Sequence, residues 1–394
     1  MLRTNHILFL GVNDLQIPAL KNAKKLGLRI VGIDKNVHTP GRKYCNFFFN
    51  IDCLNIQEIY NAITALEIRV IGIWANNDIL IPSRVILSNL LGLKDTPIHT
   101  TFDLLNKLKF KKMVESKPYS IPYHNYKDTE DAIYALRLPL IVKPITGGGS
   151  QDISMIHNHK DLKNLSLQQP MLVEEFKQGY EFGINMFKTE GSLAKMGAVY
   201  RYFDHNNHHV PIGTITADDK ENVLMSSYSV VADLINDIDF WGQIKADILV
   251  AGEQIYLIEI SPRFHGEIDT EYVFGLNDKS LSLWFFNYLM GNEVMGNEVE
   301  SITNKHETKY GYVSVFLQSN RIIKHEDCSK FPTGPFGDVE IISYLPHRRK
   351  DDIVKWPPKS TWDIFAFAFF KSKKSLTNND FYEVYKKLNH MINK

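Results

Sequence analysis

The stretch Lys245-Ala-Asp-Ile-Leu-Val-Ala-Gly-Glu-Gln-Ile-Tyr-Leu-Ile-Glu-Ile-Ser-Pro-Arg-Phe-His-Gly-Glu267 reads as a β-hairpin. Two runs rich in β-branched residues, 246–250 and 255–261, flank a turn of Ala251, Gly252, Glu253 and Gln254. A turn centred on Glu253 sets Asp247 opposite Glu259. Alternation then puts Asp247, Leu249, Leu257, Glu259 and Ser261 on one face and Ile248, Val250, Ile258 and Ile260 on the other. Two like charges opposed at roughly 5 Å between Cβ atoms destabilise a strand pair, so a positive charge is wanted between them. A hard divalent cation answers that need, and Mg²⁺ typically takes one or two carboxylates together with nucleotide phosphates. Arg263 adds a planar cation to the same edge. The plainer reading is a half-buried hairpin whose acids reach its rim.

Length and composition leave room for two or three domains: 394 residues, 44% of them apolar, are ample for a core. Lys plus Arg and Asp plus Glu are both 45, so the formal net charge is zero. The nearest approach to a basic patch, His347-Arg348-Arg349-Lys350, runs at once into Asp351 and Asp352 and reads as a solvated loop, so no nucleic acid is expected. Cys45, Cys53 and Cys328 have no metal-binding spacing, and their odd number argues against a disulfide framework. The apolar run 7–12 is too short for a signal peptide, and no segment reaches the roughly 18 apolar residues of a membrane span. The expectation is a cytoplasmic protein with no membrane partner.

From the N-terminus, strand and helix alternate: strand 6–12, helix 13–27, strand 28–34, helix 56–66 and strand 70–74. This is the signature of a doubly wound parallel sheet. Gly11 before a helix and Asp34 after the second strand invite a dinucleotide site, but Gly11-Val-Asn-Asp-Leu-Gln16 has one glycine where that fingerprint needs three. The turn is expected to be a substrate-side loop or a plain connection. Residues 101–117 read as a helix whose lysines, Lys107, Lys109, Lys111, Lys112 and Lys117, are mostly a solvated face. Ser120-Ile-Pro-Tyr123 is an extended link, and 128–137 another helix.

Leu138-Pro-Leu-Ile-Val-Lys-Pro-Ile-Thr-Gly-Gly-Gly-Ser-Gln-Asp152 is a strand carrying Lys143, followed by a loop of Gly147, Gly148, Gly149 and Ser150. Glycines accept φ > 0 and let backbone N–H groups close on an anion, which is how such loops hold phosphates. The lysine precedes the glycines, so this is not the Gly-Lys-Ser/Thr phosphate loop. Three consecutive glycines exceed what a hairpin turn requires and suit a mobile lid. Met171-Leu-Val-Glu-Glu-Phe-Lys-Gln-Gly-Tyr-Glu-Phe-Gly183 runs an apolar strand into an acidic segment that can border an adenine and a ribose. Arg201 and Asp204-His-Asn-Asn-His-His209 follow. The spacing of His205, His208 and His209 fits no familiar metal site, and a polar loop near the substrate is expected. Gly291-Asn-Glu-Val-Met and Gly296-Asn-Glu-Val-Glu form a tandem pair too short for a repeat architecture, after a helix over 280–289. Beyond it, 310–316 and 339–344 read as strands, 361–371 as a strand pair and 380–392 as an amphipathic helix, with no chemistry assigned.

In this order the features resemble the ATP-grasp superfamily, specifically its carboxylate-amine ligases near carbamoyl phosphate synthetase, biotin carboxylase and the purine-pathway ligases. The resemblance extends over nearly the whole chain and rests on Ile141-Val-Lys-Pro-Ile-Thr-Gly-Gly-Gly-Ser-Gln-Asp152, Val173-Glu-Glu-Phe-Lys-Gln-Gly-Tyr-Glu181 and Leu257-Ile-Glu-Ile-Ser-Pro-Arg263. It implies an α/β ATP-grasp fold with a Rossmann-like pre-ATP-grasp domain over 1–106, a β-α lid over 107–173, a C-terminal ATP-grasp lobe over 174–305 and a small β-rich extension with a terminal helix over 306–394. Carried over position by position, it implies that Lys107 and Lys143 contact the α and β phosphates of ATP and that Gly147, Gly148, Gly149 and Ser150 cover the β and γ phosphates. Glu174, Glu175 and the backbone of Phe176 and Lys177 would border the adenine, and Glu181 would take the ribose. Asp247 and Glu259 would hold Mg²⁺, or Mn²⁺, with Ser261 where the family usually has asparagine. Arg263 would steady the transferred phosphoryl as the catalytic residue. Lys107 follows Asn106 rather than the common aspartate, which makes Lys109 a rival for its role.

The implied reaction is attack of a carboxylate on the γ-phosphate to give an acyl phosphate and ADP, then displacement of phosphate by an amine or ammonia. Arg201, His265 and Glu267 are candidates for recognising the small-molecule substrates, and a homodimer is the usual arrangement in the families resembled. Two other readings stand beside it: a biotin-carboxylase-like use of bicarbonate, and a non-catalytic ATP-binding regulatory protein. The joint presence of Asp247, Glu259 and Arg263 argues against the latter.

Overall fold

The structure, a computed structural model, describes residues 5–127, 133–162, 170–204, 207–218, 222–292, 308–323, 331–348 and 351–393. The first sheet holds β1 (Asn5–Leu10), β2 (Arg29–Ile33), β3 (Phe47–Phe49) and β4 (Arg69–Trp74), all parallel in the order β3-β2-β1-β4. Its inner strands are apolar on both faces because helices cover both. Those include α1 (Ile17–Lys25), α2 (Ile56–Thr64) and α3 (Ile81–Leu90). The expected alternation is present, with the short β3 added. Asp34 accepts the Val12 N–H at 3.0 Å and the Asn36 N–H at 2.9 Å, so it ties down its own turns. The helix expected over 101–117 is two, α4 (Ile98–Leu105) and α5 (Lys107–Met113). Asn106 breaks them: its backbone is extended, and its Oδ1 caps α5 by accepting the Lys109 N–H at 3.1 Å.

Two antiparallel sheets follow. The smaller holds β5 (Tyr123–Asn125), β6 (Leu140–Pro144), β7 (Ser154–Ile156) and β8 (Met171–Glu175), in the order β5-β8-β6-β7. The larger contains β9 (Tyr180–Lys188), β10 (Leu193–Asp204), β11 (Asn207–Thr216), β12 (Gly242–Ala251), β13 (Gln254–Ser261) and β14 (Lys309–Val315). Outside it lies a short pair, β15 (Arg321–Ile322) with β18 (Ile353–Val354). The large sheet is completed by β16 (Gly334–Phe336), β17 (Val339–Pro346) and β19 (Ala366–Ser372), running β13-β12-β9-β10-β11-β14-β19-β17-β16. The C-terminal strands therefore continue the sheet that carries the hairpin.

The strand pair expected over 361–371 is instead a 3-10 turn, Thr361–Asp363, and one strand, β19. The cause is a capping box: Ser360 Oγ accepts the Trp362 N–H and the Asp363 carboxylate accepts the Ser360 N–H, both at 3.2 Å. The last helix is Asn378–Ile392. One apolar core joins the first sheet to the large one. Its hinge is the helix Leu281–Leu289, Leu-Ser-Leu-Trp-Phe-Phe-Asn-Tyr-Leu, apolar almost all round because it is buried between them. Phe286 packs on Phe9 and Trp74 at centroid distances of 5.9 and 5.4 Å.

Among the described residues no helix is long and apolar enough to cross a membrane. Residues 128–132 of one expected helix, the side chains of the His205–His209 run, the tandem units beyond Asn292 and Cys328 lie outside the described residues.

Candidate active site

β12 and β13 meet at a two-residue turn, Gly252 and Glu253, with Ala251 paired to Gln254. Gly252 has φ +63°, open to glycine and matched to the twist of a tight hairpin. That turn alone would set Asp247 opposite Ile258. A β-bulge at Ile258 adds the missing residue, and Asp247 faces Glu259, with Lys245 opposite Ser261. The bulge also corrects the expected faces. Leu257 packs with Ala246, Ile248, Val250 and Ile260 against the helix Asn222–Asp237, not beside Glu259.

The charge wanted between the carboxylates is Lys245. Its Nζ lies 3.0 Å from Asp247 Oδ2 and pairs with Glu259 Oε1. Sequence reasoning passed over it, although two-residue spacing puts it on the acids' face. Burial pushes both carboxyls up, but Lys245 outweighs it, aided at Asp247 by Arg201 and His265, and both are held below the usual range. Two ionised, opposed carboxylates are the kind of donor Mg²⁺ takes, and Lys245 satisfies both in its place. Among the described residues no group of three or more His, Cys, Asp or Glu is placed to hold a metal ion. Ser261, expected as a third ligand, donates its hydroxyl to Asp78 Oδ1 at 2.7 Å and orients that acid instead.

Lysines from two further elements reach the same cleft. Lys107, in the first turn of α5, donates to Gly147 O at 2.7 Å, whereas its rival Lys109 points outward to Asp103. Lys143 on β6 pairs with Glu174 on β8, and fully buried Lys111 lies 2.9 Å from the other Glu174 oxygen. Lys111 follows Lys107 by four residues, on the same helix face, a signal that the solvated-face reading missed. Burial pushes Glu174 up, yet Lys111 and Lys143 bring its carboxyl down to about 2. Its side chain is thus an anchor for two lysines. Lys107 is lowered by burial and by repulsion from Lys143 and Lys245, against the pull of Glu259. Ammonium groups crowded until they repel call for a polyanion.

The glycine-rich loop takes φ +106° at Gly147, +70° at Gly149 and +57° at Ser150. A Cβ at Gly148 would lie 3.2 Å from Asp78 Oδ2, and one at Gly149 3.2 Å from Trp362 Nε1. At the expected adenine border, Glu175 accepts the Arg137 N–H at 3.0 Å and pairs with Lys177, while the Phe176 N–H bonds Pro139 O at 2.9 Å. Those groups are committed within the protein. Glu181 on β9 faces Arg201 on β10, 3.6 Å away, and burial pushes its carboxyl up to about 7 against the pull of Arg201. Arg201 also lies 3.1 Å from Asp247.

Arg263 is held from the first domain. Asp78, in the loop after β4, accepts its Nε–H at 2.6 Å and its Nη2–H with the other oxygen. Arg84 of α3, itself held by Asp95 and Gln243, donates to Pro262 O at 2.7 Å. Burial pushes Asp78 up, but Arg263 holds it far below the usual range. Sequence reasoning missed Asp78. The available signal was the polar Asn76-Asn-Asp78 run at the carboxyl end of a parallel strand, where open α/β sheets present ligand groups.

His265, expected to meet substrate, is 4% exposed and supports Asp247 instead, with Nε2 2.9 Å from its Oδ1 and the backbone N–H on Asn185 Oδ1 at 2.8 Å. Gly183, opposite Asp247 on β9, would put a Cβ 2.9 Å from His265 Nε2; glycine makes room for that contact. Glu267 accepts from Gln16, whose Oε1 takes the Trp74 indole N–H at 2.7 Å. The turn after Gly11 thus leads to a residue that holds Glu267.

Glu271, in the π-helical turn Ile268–Val273, is buried and accepts from the Ser280 and Ser282 hydroxyls and from the Ser282 N–H at 2.9 Å. Burial pushes its carboxyl up to about 7, against those hydrogen bonds. The folded state therefore holds this proton more tightly than the unfolded chain. Its contribution to stability is complete below the unfolded value near 4.3 and is lost as pH rises through about 7. Glu271→Gln is expected to gain roughly 2–3 kcal/mol on wild type between pH 4.5 and 8, read as diverging Tm–pH curves. Parallel curves would refute this.

A parallel α/β domain, a small antiparallel sheet and a large one, around a lysine-lined cleft with an opposed acid pair, make up the ATP-grasp fold. Residues 104–267 match the ATP-grasp domain family. Formate-dependent phosphoribosylglycinamide formyltransferase of Prochlorococcus marinus subsp. pastoris is 22% identical over 281 residues, 66% of this chain and 70% of that protein. The enzyme of the same name from Methanocaldococcus jannaschii is 22% identical over 284 residues, 66% and 69% of the two chains. Among solved structures, L-amino acid ligase from Bacillus licheniformis superposes with a TM-score of 0.74 at 15% identity, covering 98% of this chain and 97% of that one. N5-carboxyaminoimidazole synthetase from Staphylococcus aureus, complexed with ADP, gives 0.71 at 16% identity and 98% of each chain. At these identities the structural likenesses speak to the fold.

Proposed function

We propose that this ligase joins a small-molecule carboxylate to an amine, or to ammonia, through an acyl phosphate, with release of ADP and phosphate. The observation that carries the reading is an opposed carboxylate pair, Asp247 and Glu259, bridged by Lys245, with Lys107 close enough to feel Glu259, Lys143 and Lys245 while it holds the glycine-rich loop. Phosphoryl transfer asks a protein mainly to position reactants and neutralise charge. Lys107 and Lys143 neutralise the nucleotide phosphates, and the 147–150 loop shields the reacting end from water. Asp247 and Glu259 hold Mg²⁺, which when bound polarises phosphoryl oxygens. Lys245, paired with both acids, would supply a further positive charge beside the phosphates. Arg263 spends two donors on Asp78 and one on Phe264 O, which leaves N–H groups for the transferred phosphoryl or the substrate carboxylate.

Relatives named for formate and for amino acids support a small carboxylate without choosing one. The test is ADP and phosphate release from Mg-ATP with formate or each common amino acid, with and without ammonia or a second amine. Release that requires both partners is expected. AMP and pyrophosphate, or no turnover with any pair, would overturn the reading.

A further inference from the structure

The segment 359–363 has no place in the chemistry above, yet it touches the glycine-rich loop. The Thr361 N–H bonds Gly149 O at 3.2 Å, and the Thr361 hydroxyl reaches the same oxygen at 3.3 Å. The Trp362 indole edge stands where a side chain at position 149 would go. This surface is built to stay put. The capping box fixes the turn, the Asp363 carboxylate also takes the Lys359 N–H at 2.9 Å, and Arg348 Nε donates to Trp362 O at 2.7 Å. Phe365, two residues on, bonds Val315 O of β14 at 2.8 Å, which ties the turn to the large sheet. The loop is thereby gripped by three elements distant in sequence: Lys107 on Gly147 O, Asp78 against Gly148, and Thr361 on Gly149 O.

We propose that Thr361 and Trp362 form a docking post for the glycine-rich loop, making Thr361 a positioning residue that sets where the loop's N–H groups meet the nucleotide phosphates. The link to phosphates rests on the function proposed above; the docking itself does not. A loop with several left-handed residues and three glycines has little conformation of its own. An outside acceptor-donor contact at its centre selects one arrangement, so less ordering remains when the phosphates bind.

The test uses the full chain. Thr361→Pro removes both donors, and proline is tolerated there because Thr361 opens a turn and Ser360 before it is extended, φ −158° and ψ 171°. In hydrogen-exchange mass spectrometry the 145–152 amides of Thr361→Pro are expected to exchange about tenfold faster, with β8 and β9 unchanged. The dissociation constant for Mg-ATP is expected to rise about fivefold, the equivalent of one hydrogen bond, and that for AMP to stay constant. Thr361→Ser should match wild type, and Thr361→Val, which keeps the N–H and fits the fold without strain, should shift both readouts in the same direction by about twofold. Unchanged exchange at 145–152 in both Thr361→Pro and Thr361→Val would overturn the post, and faster exchange with unaltered Mg-ATP affinity would overturn its role in placing the loop on the phosphates. Wild-type protein that failed to bind Mg-ATP would refute the proposed function, while the exchange comparison would still decide the docking.

Discussion

Glu259→Ala is expected to lower ligase turnover by about 10³-fold or more, roughly 4 kcal/mol of transition-state stabilisation, while the protein stays folded. Two losses coincide. One of the two metal-binding carboxylates disappears, and Lys245, which bridges Glu259 and Asp247, is left to Asp247 alone. The remaining acid is then neutralised by the lysine that an incoming ion must displace. Glu259→Gln keeps the shape and an oxygen but not the charge, so it should retain more activity than alanine. The measurement is ADP release under saturating Mg-ATP with the substrate pair found above, beside a thermal melt of each variant. An alanine variant within tenfold of wild type would show that Glu259 is not a metal ligand in the working enzyme.

The second large effect is expected at a residue outside the ATP-grasp domain. Asp78→Ala removes the bidentate partner of a guanidinium whose side chain is 9% exposed, and a buried charge stripped of its partner costs about 3 kcal/mol. Arg263 would also lose its aim, since Asp78 fixes both its Nε and Nη2; a misplaced electrostatic donor typically costs about 10²-fold in turnover. Asp78→Asn can still accept one of the two hydrogen bonds and should fall between. The prediction is a lowered Tm together with a lowered kcat. A variant with wild-type values of both would mean that the first domain does not position Arg263.

The parts of this site that were readable in sequence are those whose reasons are local. Asp247 and Glu259 were paired by counting along one hairpin, and the glycine loop announced itself by composition. Lys245 and Lys111 were within reach of the same spacing arguments. Asp78 was signalled only by its place at the end of a parallel strand, and Gln16 and Thr361 not at all, because each acts on a residue more than 180 positions away. The same limit applies to what the expected residues touch. Glu174 and His265 lie where the resemblance put them along the chain, but what their side chains meet is decided by Lys111, Lys143 and Asn185 across the sheets. The helix break at Asn106 and the turn at Thr361 are capping effects, which compete with strong periodicity and won here on one side chain each.

The bulge at Ile258 makes the acid pair a question of parity. A three-residue turn with regular strands and a two-residue turn with one bulge both bring Asp247 to Glu259, and both use the same number of residues between them. The irregularity can therefore migrate between turn and strand over evolutionary time without touching either acid. Loss of the bulged residue alone would leave a plain two-residue hairpin with the acids still opposed, whereas a residue added to one strand with no matching change of bulge or turn sends one carboxylate to the far side of the sheet. The turn, remote from any chemistry, is bound to the active site by arithmetic alone.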